Sequence, residues 1–142
     1  MEYKNIVVAV DGSQASEKAF KKSLDIAKRN HARLILAHVV DSRTFASAEA
    51  YDRTLSERAD SYAKELLDTY VENAKTAGVM DLVRSVAYGS PKVKIAKDIA
   101  QDFEADLIIC GATGMSAVER FLIGSVSESI TRYASCDVLV VR

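Results

Sequence analysis

The sequence predicts an α/β fold: a doubly wound, five-stranded parallel sheet in the order 3-2-1-4-5, with helices on both faces. Strand-like and helix-like segments alternate with little chain between them. The strands are continuous apolar runs instead of alternating ones, as strands covered on both faces are. Right-handed crossovers then leave few topologies, and this order is the simplest for five such strands.

Each element follows from local pattern. The first strand, residues 6–10, is mostly β-branched and stops at Asp11-Gly12-Ser13. Ser13 is a helix N-cap by type, and Ala19, Phe20, Ser23, Ile26 and Ala27 recur at helical spacing as far as Asn30. Residues 34–40 form a second buried strand, and the polar, irregular stretch 42–53 is the one long loop. Thr54-Leu55-Ser56-Glu57 has capping-box spacing. The helix it opens places Leu55, Ala59, Tyr62, Leu66, Tyr70 and Ala74 on one face, expected to be a core stripe, before Gly78 closes it. Residues 82–88 are the third strand. Ser90-Pro91 sets a cap-type serine before a proline at the first helical position, and Val93, Ala96, Ile99, Ala100 and Phe103 then share a face. The fourth strand spans 106–110, and a glycine-punctuated stretch runs from 111 to 124. The last helix, 125–134, turns Ile130 and Tyr133 inward, and 137–141 is the fifth strand.

Composition bounds the function. The 142 residues suit a single domain, 1–142, with one core. Nineteen basic residues against twenty acidic ones, a net charge of −1, argue against a nucleic-acid surface or a polybasic membrane anchor. The apolar runs fall far short of the ~20 residues that span a bilayer. The opening Met1-Glu2-Tyr3-Lys4-Asn5 does not read as a signal peptide, and two cysteines make no disulfide framework, so a cytoplasmic location is expected. Cys110 and Cys136 fall at opposite ends of neighbouring parallel strands, too far apart to bridge. His31 and His38 lack companions at metal-ligand spacing and read as structural. The basic residues Lys21, Lys22, Lys28 and Arg29 are interleaved with Asp25 and follow Glu17, as on a solvated helix face.

In a doubly wound sheet, ligands bind beyond the carboxyl ends of the strands where the winding reverses, here between strands one and four. That rule selects Asp11-Gly12-Ser13 and Gly111-Ala112-Thr113-Gly114. Glycines let an anion approach main-chain N–H groups. The helix start at Gly124-Ser125-Val126-Ser127 offers unpaired donors and the positive end of its dipole, with the Ser125 and Ser127 hydroxyls as further donors. Asp11 suits a ribose or adenine donor, or a phosphate-bound divalent ion, and Ala9, Val39 and Val126 suit an apolar floor for a purine. The plain alternative is that Ser125-Val126-Ser127-Glu128 is only a capping box and the glycines only turns. Neither G-x-x-x-x-G-K-[ST] nor a G-x-G-x-x-G after the first strand is present.

Gly111-x-x-Gly114, nine residues, then Gly124-Ser125 resembles the G-x-x-G-(nine residues)-G-[ST] pattern of nucleotide-binding universal stress proteins. Val7-Val8-Ala9-Val10-Asp11-Gly12-Ser13 resembles that family's opening strand and loop. Ala37-His38-Val39-Val40 resembles its second strand, Tyr88-Gly89-Ser90-Pro91 its third-strand exit, and Ser135-Cys136-Asp137-Val138-Leu139-Val140-Val141 its closing strand. The resemblance covers the whole chain and implies an adenine-nucleotide alpha-hydrolase-like, Rossmann-type fold. It further implies an ATP or AMP ligand, with Mg or Mn on the phosphates, in a stress-response homodimer. Residue by residue, it implies Asp11 near adenosine or metal and the Val39 backbone at the adenine edge. Gly111, Ala112, Gly114, Met115 and Ser116 would hold ribose and phosphates, and Gly124, Ser125, Val126 and Ser127 the phosphates. Thr113 departs from the pattern, because many members carry a basic residue or histidine there. Arg120 or a metal ion would have to supply the missing charge.

No histidine falls near Ser125 or Asp11 to act as a base, and no Glu or Gln flanks the glycine arms to position water. A nucleotide-gated binding module is therefore expected, with no catalytic residue. The alternatives are a degenerate dimeric scaffold and a member with slow ATP hydrolysis or autophosphorylation. A phospho-acceptor receiver domain shares the strand order. It fails here because the third strand ends in Tyr88-Gly89, not an aspartate, and no lysine ends the fifth. The fifth strand is an apolar edge, which invites antiparallel pairing of two copies through Val138, Leu139, Val140 and Val141. The loop after strand two lies on the ligand side and is expected to become ordered on nucleotide binding.

Overall fold

The computed structural model describes residues 2–41, 53–113 and 123–142. Five parallel strands form one sheet in the order β3-β2-β1-β4-β5, as expected. They are β1 (Asn5–Ala9), β2 (Arg33–Val40), β3 (Leu82–Tyr88), β4 (Leu107–Gly111) and β5 (Asp137–Val141). In register, Val8 stands between Leu36 of β2 and Ile109 of β4. The long loop expected at 42–53 falls almost wholly outside the described residues, as does its ordering on ligand binding.

The apolar strands are continuous because each face meets its own helical layer. Ile6, Val8, Leu34, Leu36, Leu107 and Ile109 pack against Phe20 of α1 (Gln14–Asn30) and against Leu67 and Tyr70 of α2 (Arg53–Thr76). Phe20 and Tyr70 meet edge to face, with ring centroids 4.6 Å apart. On the other face Val7, Ile35, Ala37, Ile108 and Cys110 meet Ile95 and Ile99 of the helical run 91–102, here α3, and Ile130 of α4 (Ser125–Tyr133). Each fully buried Leu or Ile contributes about 1.5–3 kcal/mol.

Four local expectations are corrected. In α2 the buried stripe is Ala63, Leu67, Tyr70 and Ala74, while Leu55 and Tyr62 are 43% and 47% exposed. The helix also begins at Arg53, so Thr54 lies within it instead of capping it. In α3, Pro91–Val93 and Ala100–Asp102 are α-helical but Lys94–Ile99 winds as a π-helix. The wider turn brings Ile95, Ala96, Ile99 and Ala100 inward and leaves Val93 exposed. Finally, Tyr133 of α4 faces outward, its ring covered by Lys97 Nζ at 4.5 Å from the centroid.

Helix α1 is capped as expected. The Ser13 hydroxyl accepts from Ser16 N–H at 3.1 Å, and His31 closes the helix in the left-handed region, φ 52°. The cysteines are free: Cys110 lies opposite Val140, while Cys136 lies before Asp137, opposite Leu107.

Candidate functional site

Two structures meet beyond the carboxyl ends of β1 and β4. The first is the exit from β1. Asp11 is held at several points. Its N–H donates to Ser16 Oγ at 3.2 Å, its Oδ1 accepts from Ser13 N–H at 2.8 Å, and its carbonyl accepts from the Tyr62 hydroxyl at 3.2 Å. Among the described residues no donor meets Oδ2, so the carboxylate keeps one acceptor oxygen available at the winding reversal. Gly12 follows with φ +84°, and a Cβ there would overlap the Tyr62 hydroxyl. One residue earlier, the Val10 carbonyl accepts from Nδ1 of the buried His38 at 2.8 Å, and the His38 ring packs edge to face on Tyr62.

The second is the exit from β4. Gly111 ends the strand beneath α1, and a Cβ there would come within 2.7 Å of the Ala15 backbone. The Gly124 N–H donates to the Ala112 carbonyl at 2.6 Å, docking the start of α4 on the strand end. A Cβ on Gly124 would lie 3.2 Å from that same carbonyl. The Ser127 hydroxyl donates to the Gly111 carbonyl at 2.7 Å and reaches the Ala112 carbonyl at 3.0 Å. Helix α4 thus starts at the crevice, and the N–H groups of its first turn have no intrahelical partner.

These contacts correct two readings of the phosphate arm. The Ser127 hydroxyl is buried and committed to strand carbonyls, so it braces the arm and is not a donor for a ligand. The capping box does not form. Gly124 is the N-cap and has no side chain, while Glu128 turns along the helix to pair with Arg132 at 2.8 Å. Ser125 is exposed at the first helical position.

Ala9, Val39 and Val126 are half-buried on the same side of the sheet, beside the cluster formed by Ala37, Cys110 and Ile130. Gly114, Met115, Ser116 and Arg120 lie outside the described residues. The sequence reading missed Ser16, His38 and Tyr62 around Asp11. The available signal was a tyrosine on the first half of α2, a helix that returns from the ligand side of the sheet.

Burial pushes the Cys110 thiol from its ordinary value near 9 up to about 11, with a hydrogen bond to Ser127 opposing. This thiol is therefore a packing group. Among the described residues no group of three or more His, Cys, Asp or Glu side chains is placed to hold a metal ion. A separate cleft of about 580 Å³ opens at the opposite end of the sheet, bordered by Tyr3, Arg29, Asn30 and Asp137. There Tyr3 donates its hydroxyl to Asp137 at 2.8 Å and its N–H to Asn30 at 3.0 Å, so those groups are already paired.

A doubly wound sheet with glycine-bearing strand ends at its winding reversal defines a class of ligand-binding α/β folds. The universal stress protein family model matches residues 2–142, and the chain belongs to that family. A Staphylococcus haemolyticus protein named for the family is 51% identical over 142 residues, covering 100% of this chain and 86% of that protein. A Staphylococcus aureus (strain USA300) relative is 52% identical over 140 residues, covering 99% and 84%. The solved universal stress protein UspA from Lactobacillus plantarum superposes with a TM-score of 0.89 at 34% identity, covering 100% of this chain and 99% of that one. A universal stress protein crystallised in complex with cAMP gives a TM-score of 0.73 at 27% identity, covering 100% and 98%. Among the described residues no helix is long and apolar enough to cross a membrane.

Proposed function

We propose that this protein binds an adenine nucleotide, ATP foremost, in the crevice between β1 and β4, and works as a cytoplasmic, nucleotide-gated regulatory module in stress response. One observation carries the reading. The start of α4 is docked on the end of β4 through the Gly124 to Ala112 hydrogen bond of 2.6 Å, on the side of the half-buried Ala9, Val39 and Val126, and Asp11 at the exit of the neighbouring β1 has an oxygen that meets no donor among the described residues. Such a site offers main-chain donors for phosphate, an apolar wall for a purine, and an acceptor for a nucleoside O–H or N–H. The complex of a family member with cAMP supports an adenine ligand.

The phosphates sit on the side of Gly111, Gly124, Ser125 and the Val126 N–H, and the nucleoside on the side of Ala9, Asp11 and Val39. Thr113 supplies no charge, so Mg or Mn carried by the phosphates, with Asp11 or Arg120 nearby, offsets the outer phosphates of ATP. AMP needs less compensation. The chain, residues 1–142, acts as one domain and as a homodimer closed by Val138 to Val141 of the edge strand β5.

The test is to denature freshly purified protein and identify released nucleotide by chromatography, then repeat after incubation with Mg-ATP and with AMP. Retention of ATP near one per chain is expected. AMP alone would keep the adenosine site and remove the triphosphate reading. Retention of neither leaves a dimeric scaffold in which Gly124 and Ser125 only start a helix.

A further inference from the structure

We infer that Tyr62 is a positioning residue for the nucleoside end of the ligand, acting through Asp11; this rests on the adenine-nucleotide reading above. Tyr62 is 47% exposed although its neighbours Ala63 and Leu67 are buried, so core packing does not explain its placement. Its ring leans on the buried His38, with centroids 6.1 Å apart, and its hydroxyl donates to the Asp11 carbonyl at 3.2 Å. The hydroxyl occupies the space that a Cβ on Gly12 would fill, so the glycine and the tyrosine fit as a pair.

The effect is to hold a short loop in one geometry. His38 fixes the Val10 carbonyl, Ser16 accepts from the Asp11 N–H, and Ser13 donates to Asp11 Oδ1. From α2, Tyr70 bonds Ser16 Oγ at 3.3 Å, and Tyr62 adds a restraint that acts directly on the peptide next to the glycine, where the backbone is otherwise freest. With Oδ1 engaged by Ser13, Oδ2 is the oxygen with more acceptor capacity left for a ligand, and its direction follows the backbone that Tyr62 holds. A carboxylate aimed in advance loses less freedom on binding a sugar hydroxyl or an exocyclic amine. Helix α2 thereby tunes ligand affinity without touching the ligand.

A double-mutant cycle tests this, with ATP and AMP as probes and titration calorimetry as the readout. Tyr62→Phe removes only a hydroxyl from a half-exposed ring, and thermal unfolding of every variant checks that the fold is retained. The expected result is about 3- to 10-fold weaker binding for Tyr62→Phe in the natural background. In an Asp11→Ala background the same change has no effect. Where Asp11→Ala takes binding below detection, Asp11→Asn replaces it, and the effect of Tyr62→Phe shrinks there. Equal losses in both backgrounds would show a general structural role and overturn the inference. So would unchanged affinity of Tyr62→Phe, with the nucleotide reading left standing. If the natural protein binds neither ATP nor AMP, both readings fall together.

Discussion

The Ser127 hydroxyl donates to the Gly111 carbonyl at 2.7 Å, tying the first turn of α4 to the last residue of β4. This buried side chain adds to the Gly124 to Ala112 hydrogen bond in holding the start of α4 against the end of β4. Ser127→Ala leaves those carbonyls short of a donor in a buried place. It should cost about 1–2 kcal/mol of stability, seen in urea unfolding as a lower midpoint with an unchanged slope.

Gly111 and Gly124 are required for different reasons, and substitution separates them. A Cβ at Gly111 would press within 2.7 Å of the Ala15 backbone, which no side-chain rotation relieves. Gly111→Ala should therefore cost about 3 kcal/mol or more in ligand-free protein, measured by chemical denaturation. At Gly124 the nearest approach is 3.2 Å, to a carbonyl that a small loop shift relieves. Gly124→Ala should destabilise by about 1 kcal/mol and weaken nucleotide retention disproportionately.

The fit between Gly12 and Tyr62 predicts suppression. Gly12→Ala meets both a positive φ and the Tyr62 hydroxyl, and should cost about 2–3 kcal/mol. In the Tyr62→Phe background the overlap is gone and the cost should fall to about 1 kcal/mol. Thermal melts of the four proteins check it, and purely additive losses would contradict it.

The two thiols should differ in alkaline chemistry. The folded-state value of Cys110, about 11, lies above its ordinary value near 9. The unfolded chain thus loses that proton first as pH rises. The stabilisation is complete below about pH 9 and is lost progressively towards pH 11, a decline of order 2 kcal/mol. Cys110→Ala should be less stable at pH 7 yet decline less over that window in urea titrations. In native protein at pH 8, iodoacetamide should label the half-buried Cys136 before the buried Cys110, as peptide mapping reads.

Edge pairing through β5 predicts a dimer. Light scattering at micromolar concentration should give twice the chain mass of 15.5 kDa. A monomeric mass would remove Val138 to Val141 as an interface.

The strand order and the buried strands were legible because residues 6–10 and 107–110 are apolar throughout and 34–40 is broken only by His38, the near-continuous pattern of a doubly covered sheet. The cap at Ser13 was legible because it depends on neighbours in sequence. Errors arose where tertiary contact decides. The π-turn at Lys94–Ile99 moves the inward face of α3 by a step that no 3.6-residue pattern anticipates. Tyr62 fell on an apolar stripe by spacing, but α2 overhangs the sheet end there and the ring meets the β1 exit instead of the core. The glycine spacing anticipated that the end of β4 and the start of α4 meet. It did not reveal that Gly111 answers to Ala15, or that Ser127 faces inward, since both depend on elements distant in sequence.

That same remoteness governs when the crevice exists at all. Strand β1 pairs with β4 only after α1, β2, α2, β3 and α3 have been laid down between them, and α4 docks later still. Parallel pairing across so long an intervening chain makes for slow folding. On the ribosome, a chain that has emerged as far as β3 holds Asp11 without Gly111 or Gly124 opposite it. The crevice is thus completed only in molecules whose synthesis is nearly finished, and a product truncated before β4 lacks one of its two walls.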